Sequence, residues 1–163
     1  MMSQLSRSTF ASPVGSLTLV ASEQGLVAVL LPGQRAPVHL AAAEDRPCRH
    51  IDSAARELSA YFEGRLSTFT TPLEPLGTPF QRRVWAALRA IPFAARTSYG
   101  AIARSLGMPT AGRAVGGANA RNPIAIVVPC HRVVGANAAL TGYAGGLAAK
   151  AWLLAHEAAH GAS

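Results

Sequence analysis

The sequence predicts an α/β amino-terminal domain followed by a mostly helical carboxy-terminal domain that contains a helix-turn-helix. Residues 5–31 alternate apolar and polar side chains as strands do, whereas residues 78–163 carry helix-start signals and helical spacing. The charge changes at the same place, because residues 1–77 hold six Arg against seven acids while residues 78–163 hold eight Arg and one Lys against one Glu. We therefore predict a domain of residues 1–77 with a net charge of −1 and a domain of residues 78–163 with a net charge of +8.

The first domain is predicted to begin with a hairpin or meander of strands. Leu17 and Leu19 alternate with polar neighbours, and a Gln-Gly turn signal at residues 24–25 precedes the continuous apolar run of residues 26–31. This pattern is typical of strands in a small antiparallel sheet. Residues 32–47 are expected to form a loop with room for one short helix.

A helix and a further strand are predicted to complete the first domain. Asp52 is positioned to N-cap a helix that continues through Phe62, and Gly64 supplies the usual stop. Residues 66–71 are expected to form one more short strand. The Pro-rich segment 72–77 is then a stiff connector that ends at the charge boundary.

The second domain is predicted to begin with two helices. Thr78 and Gln81 form a capping box around a Pro at the first helical position, and Pro92 ends the helix that follows. Ser98 is the expected N-cap of a short helix over residues 99–106.

A tight turn and a further helix follow. Thr110 is expected to N-cap a helix over residues 111–120, and this spacing fits a helix-turn-helix as well as an ordinary helical hairpin. The last helix is predicted to begin at Leu147. Its apolar face is predicted to carry Ala151, Leu154 and Ala158.

The helix over residues 111–120 has an unusual composition, because Gly112, Gly116 and Gly117 lie in its interior among alanines. Each interior Gly costs about 1 kcal/mol relative to Ala, so a purely structural helix would avoid them. Small side chains allow another surface to approach the backbone closely, and that surface is either a neighbouring element or a ligand. Arg113 is the one long charged side chain at the start of this helix, and a solvated surface arginine is the alternative to a functional one.

Composition limits the functions that this chain can have. The basic second domain favours a polyanionic partner, first of all nucleic acid, although a generally Arg-rich surface would give the same charge.

The two cysteines, Cys48 and Cys130, make neither a disulfide framework nor a zinc-finger spacing. The loose group of His39, Cys48 and His50 is expected to lie in a solvated loop. We expect no metal. The first residues lack the features of a signal peptide, and no apolar run approaches the roughly 18 residues that span a bilayer, so we expect a cytoplasmic protein without a membrane partner.

The segment 129–132, Pro-Cys-His-Arg, carries the chemistry and follows the apolar run 124–128, which is predicted to be a buried strand. Cys130 as a nucleophile needs a base, and His131 is adjacent. Neighbouring side chains in an extended chain point to opposite sides, so a water or a bent backbone has to connect the two. Glu157 is the only carboxylate of this domain that could orient the histidine. A buried inert cysteine beside a satisfied histidine remains the alternative.

These residues belong to a wider pattern. It consists of Arg113–Gly116, Asn122–Ile124, Pro129–Val133, Thr141–Gly146 and Leu153–Glu157. With these motifs the chain resembles the O6-alkylguanine-DNA alkyltransferases over residues 78–160, whereas residues 1–77 match only in the order of strands and helix.

The resemblance implies direct-reversal DNA repair by a methylated-DNA–[protein]-cysteine S-methyltransferase. The alkyl group of O6-alkylguanine, with O4-alkylthymine as a further candidate, would pass irreversibly from a flipped-out base to Cys130, once per molecule. The implied partner is double-stranded DNA, which the protein would bind through the minor groove. The protein without DNA would be a monomer, and no cofactor is implied. The first domain would be ribonuclease H-like, and it lacks the cysteines with which some relatives bind zinc.

The resemblance also assigns roles to residues. The catalytic set is Cys130, His131, Glu157, Asn122 and Tyr99. The DNA-binding set is Arg113, Tyr99, Ala111, Gly112, Ala114, Gly116, Gly117 and Asn119, with Arg113 entering the base stack. The base pocket consists of Val133, Tyr143 and Ala144. Other readings are a lesion-binding relative without catalysis, a helix-turn-helix regulator and a cysteine hydrolase. The presence of Cys130 argues against the first of them.

Overall fold

A computed structural model describes residues 4–34, 36–135, 143 and 145–161. The first part of the chain forms a four-stranded sheet in the order β3-β2-β1-β4, in which β1 pairs antiparallel with β2, β2 antiparallel with β3, and β1 parallel with β4. The predicted meander is confirmed. The strands are β1 (Ser6–Ser12), β2 (Gly15–Ala21), β3 (Leu26–Leu30) and β4 (Glu44–Asp45).

The two faces of this sheet are covered differently. On one face, Leu19 and Val29 join the main core together with the helix that follows. On the other face, Val20 and Ala28 pack beneath a 3-10 turn of residues Val38–Ala42, which lies within the predicted loop. Every residue of β3 is buried, because the strand is covered on both sides.

Helix α1 (Arg49–Phe62) begins earlier than predicted, so the expectation that Asp52 is its N-cap is wrong. Cys48 occupies that position with extended backbone, and the amide of Asp52 already donates to the carbonyl of Cys48 at 3.0 Å. Asp52 lies instead in the first turn, where a carboxylate favours the helix dipole. Gly64, with a φ of +77° in the left-handed region, closes the helix as predicted.

Residues 66–71 do not form the predicted strand. The carboxylate of Glu57 on α1 accepts the backbone N–H groups of Thr70 and Thr71, each at 2.8 Å, and both hydroxyls. Because a side chain occupies these backbone donors, they are not available to a neighbouring strand. The connector then lies beside β3, where the amide of Leu26 donates to the carbonyl of Pro72 at 2.8 Å.

Four helices follow, as predicted: α2 (Pro79–Arg89), α3 (Tyr99–Ser105), α4 (Gly112–Ala120) and α5 (Leu147–Gly161). The capping box of Thr78 and Gln81 is present, and the Ser98 hydroxyl accepts from the third residue of α3. The N-cap prediction for Thr110 is wrong. Ala111 takes that position without a side-chain hydrogen bond, because Thr110 lies one residue too early, in the turn.

Helices α3 and α4 pack together as a helix-turn-helix, with the turn closed by Gly107 at a φ of +72°. Arg83 on α2 holds this turn, because its guanidinium donates to the carbonyl of Leu106 at 3.0 Å. Trp85 on α2 donates its indole N–H to the carbonyl of Ala118 on α4 at 2.9 Å. Helix α2 therefore holds the turn and the end of α4.

Residues 124–128 are buried as predicted, but they do not form a strand. Only one isolated bridge joins Ile124 to Val29 of β3, and the chain then folds back on itself, with Ile126 at a φ of +72°. A 3-10 turn of residues Cys130–Arg132 follows and leads into β6 (Val133–Val134), which pairs in parallel with β5 (Thr97–Ser98).

The prediction of the apolar face of α5 is wrong for Ala151 and Ala158, which are exposed, whereas Leu154 is buried as predicted. The buried face carries polar groups that bond within the fold, which residue hydrophobicity does not reveal. It consists of Lys150, Leu153, Leu154, His156 and Glu157. Within the described residues, no helix combines the length and the apolar character that a membrane span requires.

Candidate active site

Cys130 lies at the first position of the 3-10 turn, and only 5% of its surface is exposed. Its amide donates to the carbonyl of Val128 at 2.8 Å, so the folded segment before it fixes where the thiol stands. Burial raises the pKa of Cys130 above its ordinary value, and the nearby side chains of Asn122, Lys150 and Tyr143 oppose that rise. Without substrate, Cys130 is therefore a protonated thiol, and it needs a base to become a nucleophile.

Asn122 holds the segment that carries the thiol. Its Nδ2 donates to the carbonyl of Val128 at 2.8 Å and more weakly to that of Ile124 at 3.4 Å, while its Oδ1 accepts from the amide of Ile124 at 3.0 Å. The left-handed backbone of Ile126, costly for a β-branched residue, is kept inside this clamp. The side chain thus replaces the ladder that a strand would have supplied.

His131 and Glu157 form a completely buried pair, with 2.6 Å between Nε2 and Oε2. Burial would raise the pKa of Glu157, but hydrogen bonds from His131, Arg132 and Tyr61 outweigh it and hold the pKa well below its usual range. The carboxylate is therefore ionised and can only accept, so Nε2 of His131 carries the hydrogen and Nδ1 carries the lone pair. Nδ1 is buried and has no hydrogen-bond partner among the described residues.

Arg132 neutralises Glu157 from the other side. Its Nε donates to Oε1 at 2.8 Å, one terminal nitrogen donates to Oε2 at 3.0 Å, and the other donates to the carbonyl of Ile91 at 2.8 Å. The amide of Ala94, in a left-handed turn with a φ of +67°, adds a bond to Oε1 at 3.2 Å. Sequence reasoning placed Arg132 in the motif but assigned it no role.

Two further residues of this site were missed. Tyr61 reaches Glu157 from α1 in the first part of the chain, and its hydroxyl donates to Oε2 at 2.6 Å. Lys150 is fully buried, and its Nζ donates to the carbonyl of Val133 at 2.7 Å. Burial lowers the pKa of Lys150, and the neighbouring Cys130 opposes this. The one usable signal was that Lys150 is the only lysine of the chain.

A narrow pocket opens at the thiol. Its lining includes Cys130, Asn122, Tyr143 and Asn119, together with Leu31 and Gln34 from the loop after β3. Burial and the nearby Cys130 raise the pKa of Tyr143 well above its ordinary value, so its hydroxyl stays a donor. Of the predicted pocket residues, Val133 is buried in β6, and Ala144 lies outside the described residues.

Asn119 differs from its predicted place on the DNA-facing side of α4. Its surface is 3% exposed, and it turns inward to the pocket rather than outward to solvent. Its Oδ1 is buried without a hydrogen-bond partner among the described residues, which is costly unless something in the pocket supplies a donor.

The rest of α4 presents a smooth face. Arg113, Ala114 and Gly117 are exposed, and a Cβ added to Gly112 or Gly117 would meet no atom within 4 Å apart from the neighbouring backbone of its own helix. The described parts of the molecule therefore do not require these glycines for packing, which favours an external surface as the reason for them. Tyr99 lies beside Gly116, where an added Cβ would stand 3.9 Å from its ring, and Ala111 begins the helix. Among the described residues, no three His, Cys, Asp or Glu side chains gather as metal ligands would.

Comparison with known proteins agrees with this geometry. Residues 5–75 match the ribonuclease-like domain of 6-O-methylguanine DNA methyltransferases, and residues 79–159 match the DNA-binding domain of the same proteins. The methylated-DNA–protein-cysteine methyltransferase of Methanosarcina acetivorans is 47% identical over 145 residues, which are 89% of this chain and 93% of the relative. That of Mycolicibacterium paratuberculosis is 47% identical over 152 residues, which are 93% of this chain and 92% of the relative.

Solved structures give the same result. The O6-methylguanine methyltransferase of Mycobacterium tuberculosis superposes with a TM-score of 0.87 at 43% identity, covering 96% of this chain and 94% of that one. A Mycobacterium tuberculosis OGT structure in complex with DNA superposes with a TM-score of 0.85 at 44% identity, covering 93% and 92%. Because the two domain models match residues 5–75 and 79–159 and a relative is 47% identical over 89% of the chain, this chain belongs to the 6-O-methylguanine DNA methyltransferase family.

Proposed function

We propose that this chain repairs alkylated DNA by direct reversal, taking the alkyl group from O6 of an alkylguanine onto Cys130 once per molecule. The observation that carries the proposal is the orientation of His131. Its Nε2 is bound to the ionised Glu157, so the basic Nδ1 is left to receive a proton, on the residue that follows the buried Cys130. Relatives named methylated-DNA–protein-cysteine methyltransferases, 47% identical to this chain, support the same reaction.

The chemistry balances without a cofactor. The sulfur of Cys130 attacks the alkyl carbon in line with the bond to O6, the new carbon–sulfur bond forms as the carbon–oxygen bond breaks, and the bonding electrons stay on the guanine. The thiol proton passes to Nδ1 of His131, through a water if the two side chains point apart. Glu157 stabilises the imidazolium that forms, whereas the positive charge of Arg132 opposes it. A proton returned to the departing guanine completes ordinary guanine, and Tyr99 and Tyr143 are the candidate donors.

The single turnover follows from the product. A thioether offers no bond that water readily cleaves, and a second thiol would be needed to displace it. Cys48, the other cysteine of the chain, stands at the N-cap of α1 and does not line the pocket of Cys130. The alkylated protein is therefore an end product.

The DNA partner is supported by the basic second part of the chain, with its net charge of +8. We further propose that a monomer places α4 in the minor groove, where the uncovered Gly112 and Gly117 admit the DNA backbone and Arg113 fills the space of the flipped base. The pocket then receives a base from outside the duplex, and O4-alkylthymine is a further candidate for it.

Intact-mass measurement tests this function. The protein is incubated with a duplex that contains one O6-methylguanine, and a gain of one methyl group located on Cys130 is expected. Cys130→Ser should bind the lesion and gain nothing. Binding without any mass gain in the wild-type protein would instead identify a lesion-binding protein, and a methyl group on another residue would contradict the role of Cys130.

A further inference from the structure

Tyr61 stands apart from the residues that the family motifs supply, because it comes from α1 in the first part of the chain, 96 positions before Glu157. Its hydroxyl donates to the same carboxylate oxygen, Oε2, that accepts from His131, and each distance is 2.6 Å. We propose that Tyr61 is a positioning residue of the proton relay, and that through it the first part of the chain sets the basicity of His131. This inference rests on the proposed alkyl transfer.

The surroundings hold Tyr61 in this role. The side chain is fully buried, and the rings of Phe69 and Phe93 pack against it with centroids 5.6 and 6.1 Å away. Its backbone carbonyl also accepts from Nε2 of His156 on α5 at 2.7 Å. Two consecutive residues of α5 thus bind the same tyrosine, one through its hydroxyl and one through its backbone carbonyl.

The hydroxyl remains a donor throughout the working pH range. Burial, and after it the charge of Glu157, raise the pKa of Tyr61 far above its ordinary value. Tyr61 therefore never competes with His131 for the proton of the thiol. Its effect is exerted only through the carboxylate that both residues share.

The sharing of one oxygen has a direct chemical consequence. A donor on Oε2 withdraws negative charge from the bond to His131, so Tyr61 keeps the imidazole a weaker base than a carboxylate bound by histidine alone would make it. Without the hydroxyl, Glu157 stabilises the imidazolium more strongly, and the carboxylate is freer to rotate. His131 then takes up a proton at higher pH while its ring is less well aligned.

Other groups that face this pair limit the effect but do not duplicate it. The amide of Ala94 binds Oε1, whereas Arg132 divides its two bonds to the carboxylate between Oε1 and Oε2. Among the described residues, the remaining charged or titratable neighbours are Lys150 and His156 on α5, Cys130 on the 3-10 turn and Tyr143. Among the donors described for Oε2, Tyr61 alone comes from outside the second part of the chain.

Tyr61→Phe tests the inference, with Phe69→Leu as the matched control. Both substitutions alter the same aromatic cluster, but only the first removes a bond to Glu157. For methyl transfer from an O6-methylguanine duplex, we expect Tyr61→Phe to lower the plateau rate about tenfold and to move the acid limb of the pH–rate profile about half a unit toward higher pH. Phe69→Leu is expected to lower the melting temperature and to leave the acid limb in place.

A second measurement does not depend on activity. The titration of His131 is followed by nitrogen NMR in protein labelled at histidine, with His131→Gln to assign the signals, and its pKa should be higher in Tyr61→Phe than in wild type. A lower rate with an unmoved acid limb and an unchanged His131 titration would make Tyr61 a packing residue and overturn the inference. Failure of the proposed function would show separately, as wild-type Cys130 without a methyl group, and the histidine titration would still decide the role of Tyr61.

Discussion

Replacing Arg132 with Met removes the cation that neutralises Glu157 inside the fold. The change deletes two hydrogen bonds to the carboxylate, at 2.8 and 3.0 Å, and one to the carbonyl of Ile91, at 2.8 Å. The guanidinium also stands over the ring of Phe93, with Cζ 5.6 Å from its centroid, and this contact is lost as well. Met keeps an apolar stem of similar length, so the lost interactions are mainly those of the charged group. Glu157 stays fully buried, and fewer hydrogen-bond donors compensate its negative charge.

The expected loss of stability is large. Removing one partner of a buried ion pair costs about 3–5 kcal/mol, because the other charge stays buried without compensation. The carbonyl of Ile91, which also loses its donor, adds about 1 kcal/mol or more. A domain of ordinary stability has about 5–15 kcal/mol in total, so the variant should keep only a fraction of it.

Urea unfolding at pH 7 measures this loss. With a slope of about 2 kcal/mol per molar urea, a combined loss of about 4–6 kcal/mol should lower the midpoint by about 2–3 M. Arg65→Met is the matched control, because it breaks an exposed Arg–carboxylate pair with Glu63 and should leave the midpoint unchanged. A loss below about 1 kcal/mol for Arg132→Met would refute the reasoning, since it would mean that Glu157 does not depend on this cation.

The pH dependence has a definite sign. The folded state holds the pKa of Glu157 below its unfolded value near 4.3, so this carboxylate contributes stability above that pH and loses it progressively as the pH falls further. In Arg132→Met the folded pKa returns toward the unfolded one, so less of the variant's stability depends on this ionisation. The difference between the two proteins should therefore narrow as the pH falls below about 4.3.

Three further predictions concern the DNA-facing surface and the pocket. Arg113→Ala should slow methyl transfer from duplex DNA about tenfold and leave transfer from the free base unchanged, because Arg113 is exposed and acts only when a base must leave the stack. Asn119→Leu should slow transfer from duplex, single strand and free base alike, since Asn119 faces the pocket. A loss confined to duplex DNA would instead indicate that Asn119 acts at the DNA-facing surface of α4. Gly117→Leu should weaken duplex binding, measured by fluorescence anisotropy, without lowering the melting temperature, because no atom lies within 4 Å of an added Cβ.

The helices of the second part of the chain could be predicted because their start signals are local. The capping box at Thr78 and the N-cap at Ser98 depend on residues three apart, and both are present as expected. The strand predicted over residues 124–128 failed for the opposite reason. Its apolar residues are buried as expected, but the side chain of Asn122 takes the carbonyls that a strand would have offered, and hydrophobicity does not report that competition.

Short-range motifs also located the reacting groups. Cys130 and His131 are adjacent, and Glu157 was the only carboxylate of its half, so the relay could be anticipated from the residues and from a family resemblance. The nucleophile, its base and the carboxylate that binds the base could thus be predicted from the sequence.

Folding alone brought the remaining parts of the site together. Tyr61 reaches Glu157 across 96 positions, and the buried Lys150 and the inward-turned Asn119 have the sequence appearance of surface residues. The physical reason is that a buried polar group is satisfied by whichever donor or acceptor the packed elements place beside it, and that partner is set by three-dimensional proximity rather than by spacing along the chain. The sequence identifies the nucleophile of this protein, and the packing of α1 against α5 determines how its base is held.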